Sequence, residues 1–386
     1  MSLTLRSLPF LLLVLAAACQ RSGSSGGEPT PPAAKGLRVG LVTDVGGRGD
    51  QSFNDSALRG LELWAADSVH AGSSYRKARP EERKDAIPER LAARVTPLEV
   101  RPAILQSKSP EDYEPNLQLL VDQGVSLAIG VGFLLENAVE TVAARNPDAH
   151  FVLIDSQLLD AKGAPRSLPN VRTIVFREEE GSFLVGALAA RVTKTGSIGF
   201  VGGMEIALIK RFEAGYRAGA AAITGKPAPT VRVGYTGSFD NVSAGKLVAQ
   251  DLIAKGADVL FHAAGADGLG VIQAAKEARA AGKTVWAIGV DSDQAHVAPD
   301  VVLTSMVKRV DLAVYEATRD AAEGTFQAGH RSLGLKEEGV MMAPVHAEIA
   351  ERDAVLAEVE ALRAEIVAGA RTVPTRPEDL SGRTVP

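Results

Sequence analysis

The sequence predicts an α/β protein built as two lobes of parallel sheet. Three observations predict it: short continuous apolar runs alternate with helical patterns almost to the end, the runs number more than ten, and loop composition interrupts them near the middle. Unbroken apolar strands separated by crossover helices belong to parallel sheets covered on both faces. More than ten strands exceed what one open sheet comfortably holds, so the chain divides.

Ahead of this body, MSLTLRSLPFLLLVLAAA places Arg6 before an apolar run from Leu8 to Ala18. That run is too short to span a bilayer but matches a secretory signal, so residues 1–18 read as a signal peptide. Ala16-Ala17-Ala18 leads into Cys19, the one cysteine in the chain, in the manner of a lipoprotein cleavage site. A secreted chain with a single cysteine has no internal disulfide to make, which leaves the thiol free to carry a lipid. Residues 19–36, QRSGSSGGEPTPPAAKG after the cysteine, are a Ser-, Gly- and Pro-rich tether. Roughly 350 residues then remain for the folded lobes.

The first lobe begins with LRVGLVT (37–43) and a helix over 55–71, then LEVRPAILQ (98–106) and a helix over 112–123. VSLAIGVG (125–132), a helix over 134–145 and HFVLIDS (150–156) complete its first part, 37–160. AKGAPRSLPN, within 160–170, is the expected lobe boundary. The second lobe, 171–283, reads VRTIVF (171–176), a helix over 178–192, SIGFVGG (197–203), a helix over 206–221 and VRVGYTG (231–237). A helix over 243–255, ADVLFHAAG (257–265) and a helix over 268–281 close it. In 284–370 the strands TVWAIGVDSD (284–293) and VVLTSMV (301–307), a helix over 308–322 and a long helix over 347–368 are expected to return to the first lobe and complete both. Residues 371–386 form a tail.

Forty-two basic and 47 acidic residues, dispersed, with aromatics at 5%, offer no basic stripe with stacking rings, so nucleic acid is not an expected partner. The basic stretch from Arg76 to Arg94 is interrupted by Glu81, Glu82, Asp85 and Glu89 and reads as a solvated loop or helix. Six histidines, at 70, 150, 262, 296, 330 and 346, lack paired metal-ligand spacing. There is no GxSxG elbow, and HAAGADGLG (262–270) fits neither the dinucleotide fingerprint nor a P-loop. No catalytic residue, metal or cofactor is expected.

Parallel sheets collect ligands beyond the carboxyl ends of their strands. After the first strand, TDVGGRGDQSFNDS offers Asp44 as an acceptor or a turn former, Phe53 as a stacking platform or a hydrophobic staple, and Ser52, Asn54 or Asp55 as helix cap. In GVGFLLENA, Phe133 reads equally as packing, and Asp155 after FVLI leans toward a structural role. IGFVGGMEIALIKRFEAGYRAG repeats the opening pattern in the second lobe, with Phe212 either facing a ligand or sitting on the helix's apolar face. Gly265 allows close backbone approach; Asp291 and Lys308 follow later strands and suit hydroxyl groups, whereas Asp293 reads as a turn residue.

VTDVGGRGDQSFNDSALRG, EPNLQLLVDQGVSLAIGVGF, FREEEGSFLVGALAA, IGFVGGMEIALIKRFEAGYRAG, HAAGADGLGVIQAA and AIGVDSDQ with LTSMVKR, in this order over about 37–370, resemble the basic membrane protein family of bacterial lipoproteins. These are substrate-binding components of ABC importers and include the purine-nucleoside receptors of spirochaetes. The resemblance implies a type I periplasmic-binding-protein fold, two Rossmann-like lobes joined by three crossings and closing on ligand. It implies that Phe53 and Phe212 sandwich a purine, that Asp44 and Asn54 address the base edge, and that Gly265, Asp291 and Lys308 hold the ribose. It also implies a nucleoside ligand, an ABC permease partner, membrane attachment through Cys19 on the extracytoplasmic side, and a monomer. Another small solute such as a sugar is the alternative ligand, an extracytoplasmic enzyme the remoter one. Two departures stand out: the segment 75–100 is longer than the family's usual link, and Arg48 occupies a position that is ordinarily neutral.

Overall fold

LRVGLVT forms β1 (Leu37–Thr43), buried along its last five residues on both faces as a central strand must be. The computed structural model describes residues 36–160, 162–345 and 347–380. The signal peptide, Cys19, the tether up to Lys35 and the end of the tail lie outside the described residues. After β1 come α1 (Phe53–Leu58, continuing as a π-helix over Arg59–Ala65), a hairpin of β2 (Ser68–Ala71) and β3 (Ser74–Lys77), and α2 (Pro80–Ala86). Then follow β4 (Val100–Gln106), α3 (Tyr113–Asp122), β5 (Leu127–Val131), α4 (Glu136–Arg145), β6 (His150–Ile154) and β7 (Val171–Phe176). The next stretch contains α5 (Glu178–Val192), β8 (Ser197–Gly202), α6 (Ala207–Ala222), β9 (Thr230–Tyr235), α7 (Val242–Ala254), β10 (Val259–Ala263) and α8 (Asp267–Ala280). It ends with β11 (Trp286–Asp291), β12 (Val302–Lys308), α9 (Val310–Ala322), β13 (Gly329–Leu333), β14 (Val340–Met342) and α10 (Arg352–Val367).

Two six-stranded sheets result, ordered β13-β7-β6-β5-β1-β4 and β14-β12-β11-β10-β8-β9, parallel except for β14. Each opens with a strand, β1 or β8, lying between the two that follow it in sequence, so the winding reverses there and leaves a crevice at the strand ends. This is the expected α/β architecture of two Rossmann-like lobes.

The chain changes lobes elsewhere than expected. Strand β7 pairs with β6 in the first sheet and does not open the second, because the 157–170 loop folds back on itself through a Leu159–Pro165 bridge. The first crossing is the short link at Arg177, whose amide donates to Leu333 O. TVWAIGVDSD does not return to the first lobe: β11 pairs with β10 and β12 in the second sheet. Crossing two lies at Arg309, after which α9 packs on α1, and β13, paired with β7, joins the first sheet. Segment 334–339 crosses back to β14. Strand β13 was invisible as a pattern because GHRSL is largely exposed at a sheet edge. The predicted helix over 55–71 ends at Ala65 and gives way to the hairpin, and α10 starts at Arg352 rather than Ala347.

Helix α5 crosses α6 at backbone contact. A methyl group at Gly215 or Gly219 would fall on the carbonyl groups of Glu179 and Phe183. Gly219→Val should therefore destabilise the fold by ~3 kcal/mol or more, read as a lower urea midpoint with unchanged slope. Unchanged stability would show that the two helices can separate freely.

Candidate functional site

The carboxyl ends of both sheets face each other across one partly open cavity, and Asp44, Phe53, Asn54, Phe212, Gly265, Asp291 and Lys308 all line it. Residues separated by more than 250 positions meet here because the two crevices are turned toward one another.

At one pole lies Lys308, the last residue of β12 and only 2% exposed. Its Nζ donates to Asp155 Oδ2 at 2.7 Å and stands 3.8 Å from Asp291 and 3.9 Å from Glu178. Burial alone would weaken the charge, but the three carboxylates outweigh it and raise the lysine's pKa. The same ammonium sits 4.8, 5.3 and 5.6 Å from the ring centroids of Phe53, Phe212 and Phe176. Asp155 and Asp291 occupy matching places at the ends of β6 and β11, both with left-handed backbone (φ 71° and 62°). Aspartate tolerates that conformation better than bulkier residues do, and the turn aims both carboxylates at Lys308.

The opposite wall is built by the glycine-rich loop. Asp50 Oδ1 accepts from the amides of Ser52 and Asp55 and its Oδ2 from that of Asn54, so Ser52 holds the N-cap position of α1, as one of the expected candidates, while the capping side chain is that of Asp50. Asn54 Nδ2 donates to Asp44 Oδ1 (2.7 Å) and Asp50 Oδ2 (3.0 Å), and Gly46 N donates to Asp44 Oδ1. Burial pushes the Asp44 carboxyl up to about 6 against the hydrogen bonds from Asn54 and Gly46. Burial likewise takes Asp50 to about 7, in spite of three backbone donors.

Phe53 begins α1 and Phe212 lies in α6; each belongs to the apolar core and also lines the cavity. Phe212 contacts Phe261 at 6.4 Å. Across the mouth Phe133 meets Phe239 edge to face at 6.1 Å, one ring from each lobe. Direct hydrogen bonds hold the lobes closed: Ser52 Oγ donates to Asp291 Oδ2 (2.6 Å), Ser292 Oγ to Ser52 O, and Gln294 Nε2 to Gln51 O. Asp291 is therefore both cavity wall and latch.

Sequence reasoning undervalued Asp155 and passed over Asp50 and Phe239. A strand-end position was the available signal for Asp155 and Phe239; neither carries a pattern of its own. Asp293 is the exposed turn residue it was read to be, accepting from Ala295 N. Arg48 is explained: its guanidinium grips Glu62 at 2.6 and 3.0 Å, and Tyr75, at the start of the long 75–100 segment, donates to the same carboxylate. The two departures from the family pattern thus tie to one another through Glu62. From there the segment reaches the third crossing, where Arg94 pairs with Glu316 and Glu338.

Among the described residues six buried carboxyls are raised, chiefly by burial: Asp44, Asp50, Glu178 (to about 8), Glu179 (to about 7), Asp267 and Asp291. Unfolding returns them to ordinary values near 4, so between about pH 5 and 8 the folded chain binds more protons than the unfolded one. Its stability should rise as pH falls through that window, by up to ~1.4 kcal/mol per pH unit for each proton held. Urea midpoints at pH 5.5, 6.5, 7.5 and 8.5 test this, and a midpoint that climbs with pH contradicts it.

Residues 37–375 match the family described as ABC transporter substrate-binding protein, PnrA-like. The chain is 32% identical to the ABC transporter nucleoside-binding protein BmpA of Lactococcus lactis subsp. cremoris, covering 92% of each chain. It is 34% identical to an uncharacterised lipoprotein of Pyrococcus abyssi, over 88% of this chain and 76% of the relative. Among solved structures it resembles an ABC transporter solute-binding protein from Aeropyrum pernix K1, with a TM-score of 0.69, 30% identity, and coverage of 88% of this chain and 93% of that one.

Proposed function

Because the chain belongs to the family of PnrA-like ABC transporter substrate-binding proteins, we propose that it is a lipid-anchored extracytoplasmic receptor that binds nucleosides, purine nucleosides in particular, between its lobes and delivers them to an ABC permease. The observation that carries the reading is the convergence of all seven residues implied by the resemblance on one pocket between the lobes. Phe53 and Phe212 supply ring faces for a base, since a planar ring between two phenyls gains burial and stacking together. Asp44 and Asn54 face its edge. Lys308, Asp155, Asp291 and the backbone at Gly265 take the ribose hydroxyls, one vicinal pair being able to donate to a carboxylate while accepting from the ammonium.

Charge argues for a nucleoside over a nucleotide. Four carboxylates line the cavity against one ammonium that is already paired, so a phosphate would enter a repulsive field. Attachment through Cys19 is supported by the signal sequence, and the tether would let the lobes stand clear of the membrane. The receptor acts as a monomer and performs no chemistry on its ligand.

Calorimetric titration of ligand-stripped protein with nucleosides, nucleotides and monosaccharides tests the proposal. Heat with nucleosides alone is expected; a folded chain that responds to a sugar and not to any nucleoside replaces the proposed ligand. Chromatography of the same mixtures must recover the nucleoside intact, since cleavage would make the protein an enzyme. Cys19→Ala should move the protein from the membrane fraction to the soluble one, and retention at the membrane would remove the lipid anchor from the proposal.

A further inference from the structure

The wall formed by Asp44 and Asn54 has a one-sided hydrogen-bonding character that the residue types alone do not reveal. Asn54 donates both amide hydrogens to carboxylates, Asp44 Oδ1 at 2.7 Å and Asp50 Oδ2 at 3.0 Å. Turning the amide over would set its oxygen against two carboxylate oxygens, so the orientation is locked. What remains is Asn54 Oδ1, a buried atom without a hydrogen-bond partner on a residue that is 1% exposed and belongs to the cavity lining. A buried acceptor left unpaired is costly, and a ligand that donates to it removes the cost.

Asp44 presents a second acceptor beside the first. Its Oδ1 is occupied by Asn54 and Gly46, while Oδ2 lies toward Gly132 and Phe53. A methyl group at Gly132 would stand 3.1 Å from that oxygen and 3.5 Å from the Phe53 ring, and φ +110° at this position also calls for glycine. The oxygen is thereby kept open at the rim of the ring. This wall has no side-chain donor to offer, and the amides of Gly46 and Gly132 are spent on Asp44 and Ile154 O.

The geometry points to a site that selects nucleosides whose base carries two adjacent N–H donors on the edge of its six-membered ring. It rests on the nucleoside reading above and narrows it to guanosine-like 2-amino-6-oxopurines. Guanine offers N1–H together with the N2 amino group, one donor for each acceptor. Hypoxanthine offers N1–H alone. Adenine turns the lone pair of N1 toward the wall, acceptor against acceptor, and leaves at least one protein oxygen unpaired. A site built to receive N–H groups discriminates strongly against a ligand that lacks them.

The test is calorimetric titration of the ligand-stripped chain at pH 8 with guanosine, inosine, adenosine and 1-methylguanosine, the last lacking the N1 hydrogen. Guanosine should bind at least about tenfold more tightly than adenosine, with inosine between them and 1-methylguanosine markedly weakened. Asp44→Asn, which can turn an amide donor toward the base, should bring the guanosine-to-adenosine ratio down toward one; the wild-type ranking decides the matter if that variant does not fold. Nucleosides that bind within about threefold of each other, or adenosine binding most tightly, overturn this selectivity and leave the nucleoside reading standing. If no nucleoside binds to protein with a folded circular-dichroism spectrum, the nucleoside reading itself falls, and this inference with it.

Discussion

Lys308→Met is expected to lose nucleoside binding to below calorimetric detection and to lower unfolding stability by ~3–5 kcal/mol, because it leaves Asp155, Asp291 and Glu178 buried without their shared cation. Two features separate this from ordinary damage to a core. First, the stability deficit should shrink as pH falls. Burial already raises Glu178 and Asp291, so without the ammonium these two bind protons in the folded state at higher pH than in the unfolded one, and once protonated they no longer repel. Second, the loss should depend on the sugar: a free base that still binds would suffer far less than its nucleoside. A variant that weakens base and nucleoside equally returns Lys308 to a purely structural role. A deficit that deepens in acid would mean that the ammonium is not what neutralises the cluster.

Phe53→Leu should weaken nucleoside binding about ten- to a hundredfold, the loss of one aromatic face against a base, while costing the fold less than ~1.5 kcal/mol. Leucine keeps an apolar group at the start of α1 and in the core cluster, so packing survives and stacking does not. Equal binding by the variant would mean that the base does not lie on this ring. An unfolding midpoint lowered as far as that of a core deletion would instead make Phe53 a packing residue. Phe212→Leu provides a comparison from the opposite lobe. It should weaken binding as well but lose more stability, since Phe212 is 2% exposed and packs on Phe261.

The latch explains how binding couples to closure. Ser52, Gln51 and Phe133 from one lobe meet Asp291, Gln294 and Phe239 from the other around the cavity mouth. A ligand that touches Phe53 and Asn54 on one side and Phe212 and Gly265 on the other has more contacts with the closed arrangement than with an open one. That differential is what shifts the population toward closure. The three crossings at Arg177, Arg309 and 334–339 lie side by side, joined by the Arg177 N to Leu333 O and Arg309 N to Gly339 O hydrogen bonds. The long 75–100 segment braces the same region through Arg94 and Glu338.

Sequence by itself determined the element types and the pole of the molecule where a ligand belongs. A buried parallel strand must be apolar on both faces, so β1, β5, β6, β8, β10, β11 and β12 read directly as unbroken runs, and polar or aromatic residues immediately after them had to lie at the crevice. Asp291 and Lys308 were legible as crevice residues for that reason; Phe53 and Phe212 lie in the helices that follow β1 and β8, and only the family resemblance singled them out. Tertiary structure alone decided what depends on contacts between distant segments. The lobe to which β7 and β11 belong is a matter of strand neighbours, which the local pattern of a strand does not encode. The exposed edge strand β13 has no apolar pattern to betray it. Asp155 becomes Lys308's hydrogen-bond partner only when a residue 153 positions away arrives. Asn54 becomes a pure acceptor only because two carboxylates claim its amide hydrogens. Arg48, unexplained in one dimension, finds its reason in Glu62 and Tyr75, which the turn of α1 and the β2–β3 hairpin bring to it.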